Sequence, residues 1–211
     1  MEIYKYSLGV LQTNCYLVVN EKNNEAIIID AGARPEKLLE KAKNYQVKAI
    51  LLTHAHFDHI AGLEKIRKQT EAPVYIHESE QHWLSDPDWN GSSRWPDVSE
   101  LLSFDQAENE LVDGQVLDIA GLTISVIHTP GHTPGGSSFL IDETLFSGDT
   151  LFAGSIGRTD LPGGNYQLLN ASILDKLMVL DDHILCQPGH GSQTTIGAEK
   201  LHNPYIAGLL R

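Results

Sequence analysis

The segment VKAILLTH, residues 47–54, constrains the fold most: from Ala49 to Leu52 every position is apolar, with none of the alternation of a half-exposed strand. Such a strand must be covered on both faces, so it calls for a central place in a sheet with packing above and below. The flanking segments agree. NCYLVV (14–19) and EAIIID (25–30) read as strands separated by the turn-forming NEKNN. The period then changes, with Pro35 suited to a first helical turn and Leu38, Leu39 and Ala42 on one face. HIAGLEKIRKQT (59–70) places Ile60, Leu63 and Ile66 at helical spacing, and APVYIH (72–77) returns to a strand. The order strand, helix, strand, helix, strand indicates α/β layering.

Residues 85–110 have weak periodicity and many turn residues, which predicts a surface loop or lid. The second half restarts with the strands QVLDI, LTISVIH, SSFLI and TLFSG. A Gly-rich loop (154–164), a helix from about Tyr166 to Met178, a strand HILCQ and a helical tail follow. Two strand-rich halves, each with helices, predict two sheets face to face with helices outside.

Directly after the covered strand stands His54-x-His56-x-Asp58-His59, four donor side chains within six positions. Side chains at a strand's C-terminal end and in the loop beyond it can converge on one point. Imidazole and carboxylate suit zinc, iron or manganese, and a single catalytic zinc usually takes three protein ligands. The surplus implies a second metal. Matching donors stand downstream at other strand ends: His132 in HTPGHTPGG, Asp149 in LFSGDTLF and His190 in QPGHGS, each flanked by Gly or Pro. Seven donors make two sites, with one carboxylate free to bridge. His77, His82, His183 and His202 are expected at the surface or a sheet edge. His128, in the loop of His132, is a candidate to orient a ligand from behind. Asp30, closing EAIIID, is first of all a turn residue, with orientation of a metal ligand as the alternative.

A formal charge of -13, from 28 acidic against 15 basic residues, and the absence of a Lys/Arg stripe argue against nucleic acid as the main partner. MEIYKYSLGV lacks the layout of a signal peptide and no apolar run is long enough to span a membrane, so the cytoplasm is the expected location. Cys15 and Cys186 lie in apolar strand-like segments and are expected to be buried thiols. At 211 residues, a single domain over 1–211 is expected.

The segments THAHFDHIAG, HTPGHTPGG, SGDTLF and PGHG, in this order, resemble the metallo-β-lactamase superfamily. The resemblance implies an αββα sandwich with its site at one edge of the two sheets. Carried over by position, it implies that His54, His56 and His132 hold a first metal. Asp58, His59 and His190 hold a second, and Asp149 bridges them. Within the superfamily the chain is most similar to the glyoxalase II-like hydrolases of the short bacterial type, through GSIGRTDLPGGN (154–165). The C-terminal helical domain of glyoxalase II is not expected, since the sequence ends about twenty residues after His190, and Ser192 stands where that enzyme has a substrate-contacting tyrosine. Arg158 matches a basic substrate contact of the family, with a loop-bracing salt bridge as the alternative role.

The implied activity is hydrolysis of a small-molecule acyl-thiol such as S-lactoylglutathione. The two divalent ions, zinc foremost, would polarise the acyl carbonyl and acidify water toward neutral pH, with Asp58 orienting that water as well as binding metal. Persulfide dioxygenases resemble the same superfamily and offer the alternative: one Fe(II) held by His54, His132 and Asp149, with open positions for oxygen. A non-catalytic scaffold is opposed by the intact donor set, and a nuclease by the acidic charge.

Overall fold

The structure is a computed structural model that describes residues 1–208. Its first half forms a six-stranded sheet of β1 (Glu2–Leu8), β2 (Thr13–Asn20), β3 (Glu25–Ile29), β4 (Gln46–Leu51), β5 (Val74–His77) and β6 (Asn109–Leu111), side by side in that order. β1 to β3 pair antiparallel and β3 to β6 parallel. The parallel crossovers carry α1 (Glu36–Ala42), then α2 (Phe57–Ile60) and α3 (Leu63–Thr70).

The second half supplies β7 (Val116–Ile119), β8 (Leu122–His128), β9 (Ser137–Ile141) and β10 (Thr144–Gly148), then a small hairpin of β11 (Leu151–Phe152) and β12 (Ser155–Ile156). Helix α4 (Tyr166–Ala171) continues as a π-helical turn over Ser172–Leu177. β13 (Leu185–Pro188), β14 (Thr194–Thr195), α5 (Ile196–His202) and α6 (Pro204–Ala207) complete it. The second six-stranded sheet runs β14-β13-β10-β9-β8-β7 and is also mixed, with β10 and β13 parallel.

Alternation along the strands divides the apolar residues among three packed layers. On β3, Ala26 and Ile28 face α1 and α3 together with Leu38, Leu39, Leu63 and Ile66. Ile27 and Ile29 point the other way, to Ile124, Val126, Phe139 and Phe146 of the second sheet. Leu145 and Cys186 on that sheet's outer face pack against Leu169, Ile173, Leu177 and Ile196. The αββα sandwich expected from the sequence is therefore present, with β4 covered on both sides.

Several details differ from expectation. An edge strand, β1, precedes the two expected at the N-terminus, and its mostly exposed or half-exposed side chains give it no clear apolar pattern. The helix expected over 59–70 is broken after Ile60, because the Gly62 N–H bonds Ala31 O at 2.7 Å and a Cβ at Gly62 would stand 2.3 Å from Gly32 O. Residues 85–110 are largely irregular, yet they end in β6 and are pinned by the buried Asn90, whose amide donates to Trp83 O and Leu102 O. Most side chains of this segment are exposed, as expected of a surface loop, but its backbone is anchored. His77, expected at the surface or an edge, is 5% exposed and stacks on His128 at the end of β8 with ring centroids 3.9 Å apart, while β6 pairs beside it. His82, His183 and His202 are exposed as expected.

Ile27, buried between the sheets, should cost about 2–5 kcal/mol on truncation to alanine, whereas Val116→Ala at an exposed edge position should change stability by about 0.5 kcal/mol or less. Urea denaturation of the two variants checks this, and similar losses at both positions would contradict the layer assignment.

Candidate metal centre

Strand direction brings the donors together. β8 and β10 both pair antiparallel with β9, and β10 is parallel to β13, so β8, β10 and β13 run the same way and open their C-terminal loops at one edge. Those loops carry His132, Asp149 and His190. Across the interface β4 ends at the same edge and delivers His54, His56, Asp58 and His59, the last two on α2.

The ligand atoms fall into three overlapping groups: His54, His56 and His132; His54, His59 and Asp149; and Asp58, His59 and His190. In the first, His56 Nδ1 lies 2.9 Å from His132 Nε2. In the last, Asp58 Oδ2 lies 3.2 Å from His190 Nε2 and 3.6 Å from His59 Nε2. Asp149 stands between them, with Oδ2 at 3.6 Å from His132 Nε2 and 3.5 Å from His190 Nε2, and Oδ1 at 3.3 Å from His59 Nε2. That is the placement a bridging carboxylate needs.

His54 Nε2, His59 Nε2 and Asp149 Oδ1 are buried and have no hydrogen-bond partner. Buried polar atoms are rarely left so, and three aimed into one space fit a bound cation. Four of the five imidazoles engage the opposite ring nitrogen: His54 Nδ1 with Thr53 Oγ1 at 3.1 Å, His59 Nδ1 with Asp30 Oδ2 at 2.8 Å, His132 Nδ1 with Arg158 O at 2.7 Å and His190 Nδ1 with Leu11 O at 3.1 Å. Such contacts fix ring orientation and tautomer, as metal-binding imidazoles require. Asp30 therefore does orient His59, and it also accepts from Thr53 N. His128 acts at one remove, bonding Pro134 O in the loop of His132.

At His54, His56 and the two carboxylates, electrostatics favour the protonation states that bind metal. Burial, reinforced by neighbouring imidazoles, holds His54 well below the usual histidine range and drives His56 down to about 3, so both are neutral. Burial opposes ionisation of Asp58 and Asp149, but His59 and the other imidazoles outweigh it and keep both below the ordinary carboxylate range. At His59 burial opposes charge, yet Asp58, Asp149 and Asp30 prevail and raise it, which marks Nε2 as a place where positive charge is stabilised.

Three supports had no signature in the sequence. Glu80, fully buried, accepts from Ala55 N at 2.6 Å and Gly135 N at 2.7 Å, tying the His54–His59 loop to the His132 loop with one carboxylate. Asn14 donates to Pro188 O and Gly191 O, and Tyr16 OH to Pro188 O at 2.6 Å, so β2 clamps the His190 loop. Thr13 Oγ1 donates to Asp58 Oδ2 at 2.7 Å. Gly189 leaves the room these donors need, since a Cβ there would lie 2.2 Å from Asp149 Oδ1 and 2.7 Å from His59 Cε1.

The donors floor a cleft of about 470 Å³ whose walls include Phe57, Trp89, Trp95, Phe152 and Leu161, with Arg94 and Arg158. Arg158 is exposed, and its guanidinium grips both carboxylate oxygens of Asp160 at 2.7 and 2.8 Å.

Residues 8–190 match the family model described as Metallo-beta-lactamase superfamily. Among solved structures the chain is similar to the BLEG-1 B3 metallo-beta-lactamase, at 44% identity and a TM-score of 0.93 over 98% of this chain and 100% of that one. It is also similar to TTHA1623 in a di-iron-bound form, at 36% identity and a TM-score of 0.84 over 96% and 99%. The hydroxyacylglutathione hydrolase GloC of Haemophilus influenzae is 35% identical over 212 residues, 98% of each chain.

Replacing Glu80 by alanine should cost about 1–3 kcal/mol for each buried N–H left without an acceptor, read by denaturation of metal-free protein. A loss below about 0.5 kcal/mol would show that the carboxylate does not brace the two loops. Gly189→Ala should fold yet retain less metal than the parent, and an undiminished metal content by mass spectrometry would refute the crowding at Asp149 and His59.

Proposed function

The chain belongs to the metallo-beta-lactamase superfamily, and from that footing we propose that it is a binuclear metal-dependent hydrolase cleaving a small-molecule acyl-thiol, of which S-lactoylglutathione is the model. The observation that carries the reading is the pair of donor groups sharing Asp149, with His54 Nε2, His59 Nε2 and Asp149 Oδ1 buried and unpartnered between them. His54, His56 and His132 are assigned to one ion, Asp58, His59 and His190 to the other, and Asp149 to both. Zinc suits this donor set, as do iron and manganese. When bound, two such ions supply Lewis-acid polarisation of a carbonyl and a lowered pKa for water.

The side chains do the rest. Asp58, partly exposed at the cleft and held by Thr13, would hold metal through its carboxylate and could accept a hydrogen bond from a water at the site, orienting it. Phe57, Trp89, Phe152 and Leu161 exclude bulk water and pack on the apolar parts of the substrate. Arg158 belongs to the substrate-facing wall while its carbonyl fixes His132. Similarity to GloC supports a thioester as substrate and similarity to the di-iron form of TTHA1623 supports two metals.

Metal analysis of purified protein should find two ions per chain. His56→Ala and Asp149→Ala, folded by circular dichroism, should lose at least about 10²-fold in thioesterase kcat/KM, roughly 3 kcal/mol of transition-state stabilisation. One iron per chain with oxygen uptake on a persulfide would favour the dioxygenase alternative, and cleavage of a β-lactam without thioester turnover would reassign the substrate.

A further inference from the structure

We propose that Arg94, mounted between Trp89 and Trp95 on the wall of the cleft, is the specificity-determining anion contact, selecting acyl-thiols whose thiol carrier bears a carboxylate. The inference deepens the thioesterase reading and rests on it.

The cleft has two arginines, and they are not equivalent. Arg158 already closes a bidentate pair with Asp160, which leaves little positive charge to offer. The arginine ion pairs among the described residues are those of Arg67 with Glu108 and Arg158 with Asp160, and Arg94 enters neither. Its guanidinium is the cleft's uncommitted cation.

Its mounting is rigid. The buried Asn90 fixes the segment through Trp83 O and Leu102 O, and Asn90 O accepts from Phe57 N at 2.8 Å, which joins the wall to the His56–Asp58 motif itself. Gly91, at φ +83°, turns the chain, and Arg94 N closes back on Gly91 O at 3.1 Å. Trp89 stacks on the buried Trp83 with centroids 5.4 Å apart, and Trp83 in turn lies 5.9 Å from the ring of His56. A cation on such a backbone is preorganised, so binding loses less entropy than at a mobile loop.

The surroundings specify what it binds. Trp89 and Trp95 remain 42% and 43% exposed beside it, large apolar surfaces that a ligand can cover. Beside the positive centre proposed at the floor, a cation on the wall gives an anionic group a second, separate place to dock. The scissile carbonyl must reach the donors at the floor. A carboxylate that meets Arg94 on the wall is a different group from the scissile carbonyl, and we place it on the leaving thiol.

The test compares S-lactoylglutathione with the S-lactoyl ester of N-acetylcysteamine, which has the same acyl group on an uncharged carrier, using metal-loaded protein. R94Q should raise KM about tenfold for the glutathione ester with kcat within about twofold, and leave the uncharged ester unchanged. Lys68→Gln on α3, an exposed site outside the cleft, makes the same change in net charge and should move neither. Quenching of tryptophan fluorescence by S-methylglutathione gives a second readout independent of turnover, and R94Q should need about ten times more ligand. Equal KM changes for both esters, no change for either, or identical quenching curves would overturn the assignment. Should the parent cleave neither ester, the thioesterase reading falls while the quenching titration still decides whether Arg94 binds the carboxylate.

Discussion

Everything at the functional edge depends on keeping three carboxylates and several imidazoles close together with little water. Asp30, Asp58 and Asp149 surround His59, itself fully buried, while His54, His56 and His132 crowd the adjoining space. Desolvating such groups is costly unless each is paired or bound to a cation. The outer atoms of most donors are paired, through Thr13, Thr53, Asp30, Leu11 O and Arg158 O, whereas His54 Nε2, His59 Nε2 and Asp149 Oδ1 face inward without hydrogen-bond partners. Polar satisfaction on the outside and deficit on the inside is what distinguishes a cation site from a structural polar cluster.

The sandwich makes this arrangement possible. Two sheets packed through Ile27, Ile29, Phe139 and Phe146 hold the ends of β4, β8, β10 and β13 at one rim, so ligands separated by more than 130 residues meet without any one loop being long. The rim is then locked by a few buried polar contacts across the interface. Glu80 joins the loops after β4 and β8, and Asn14 and Tyr16 reach from β2 to the loop after β13. Rigidity of the ligand loops thus comes from the fold on which they stand, as preorganised sites require.

The sequence displays most of this because the chemistry is dense where the strands end. The apolar run Ala49–Leu52 announces a covered strand, and the donors of HAHFDH, with His132, Asp149 and His190 beside Gly or Pro, announce the rim. What it hides are interactions between distant segments with no local pattern. Nothing near Glu80 shows that its carboxylate will cap two backbone N–H groups in other loops, and a three-residue parallel strand such as β6 is too short for alternation to register. Asp30 illustrates the ambiguity: its strand-end position reads as a turn, which its positive φ bears out, and only the approach of His59 gives its carboxylate a second task. His77 failed as a surface residue for the same reason, since what covers it, His128, lies some fifty positions away.

The wall over the rim follows a different logic from its floor. The floor is polar and buried, whereas the 85–100 segment exposes aromatic side chains and a cation above a polar anchor, Asn90. Trp89 and Trp95 bury part of their surface in the fold and keep 42% and 43% exposed, apolar surface that a ligand could still cover. Their place beside the donors gives that surface a use in binding. Because Phe57 N bonds Asn90 O, any shift of the wall is felt at the residue between His56 and Asp58. The wall and the donor-bearing floor are in this way parts of one hydrogen-bonded unit, and the irregular segment least legible in the sequence is the one that couples them.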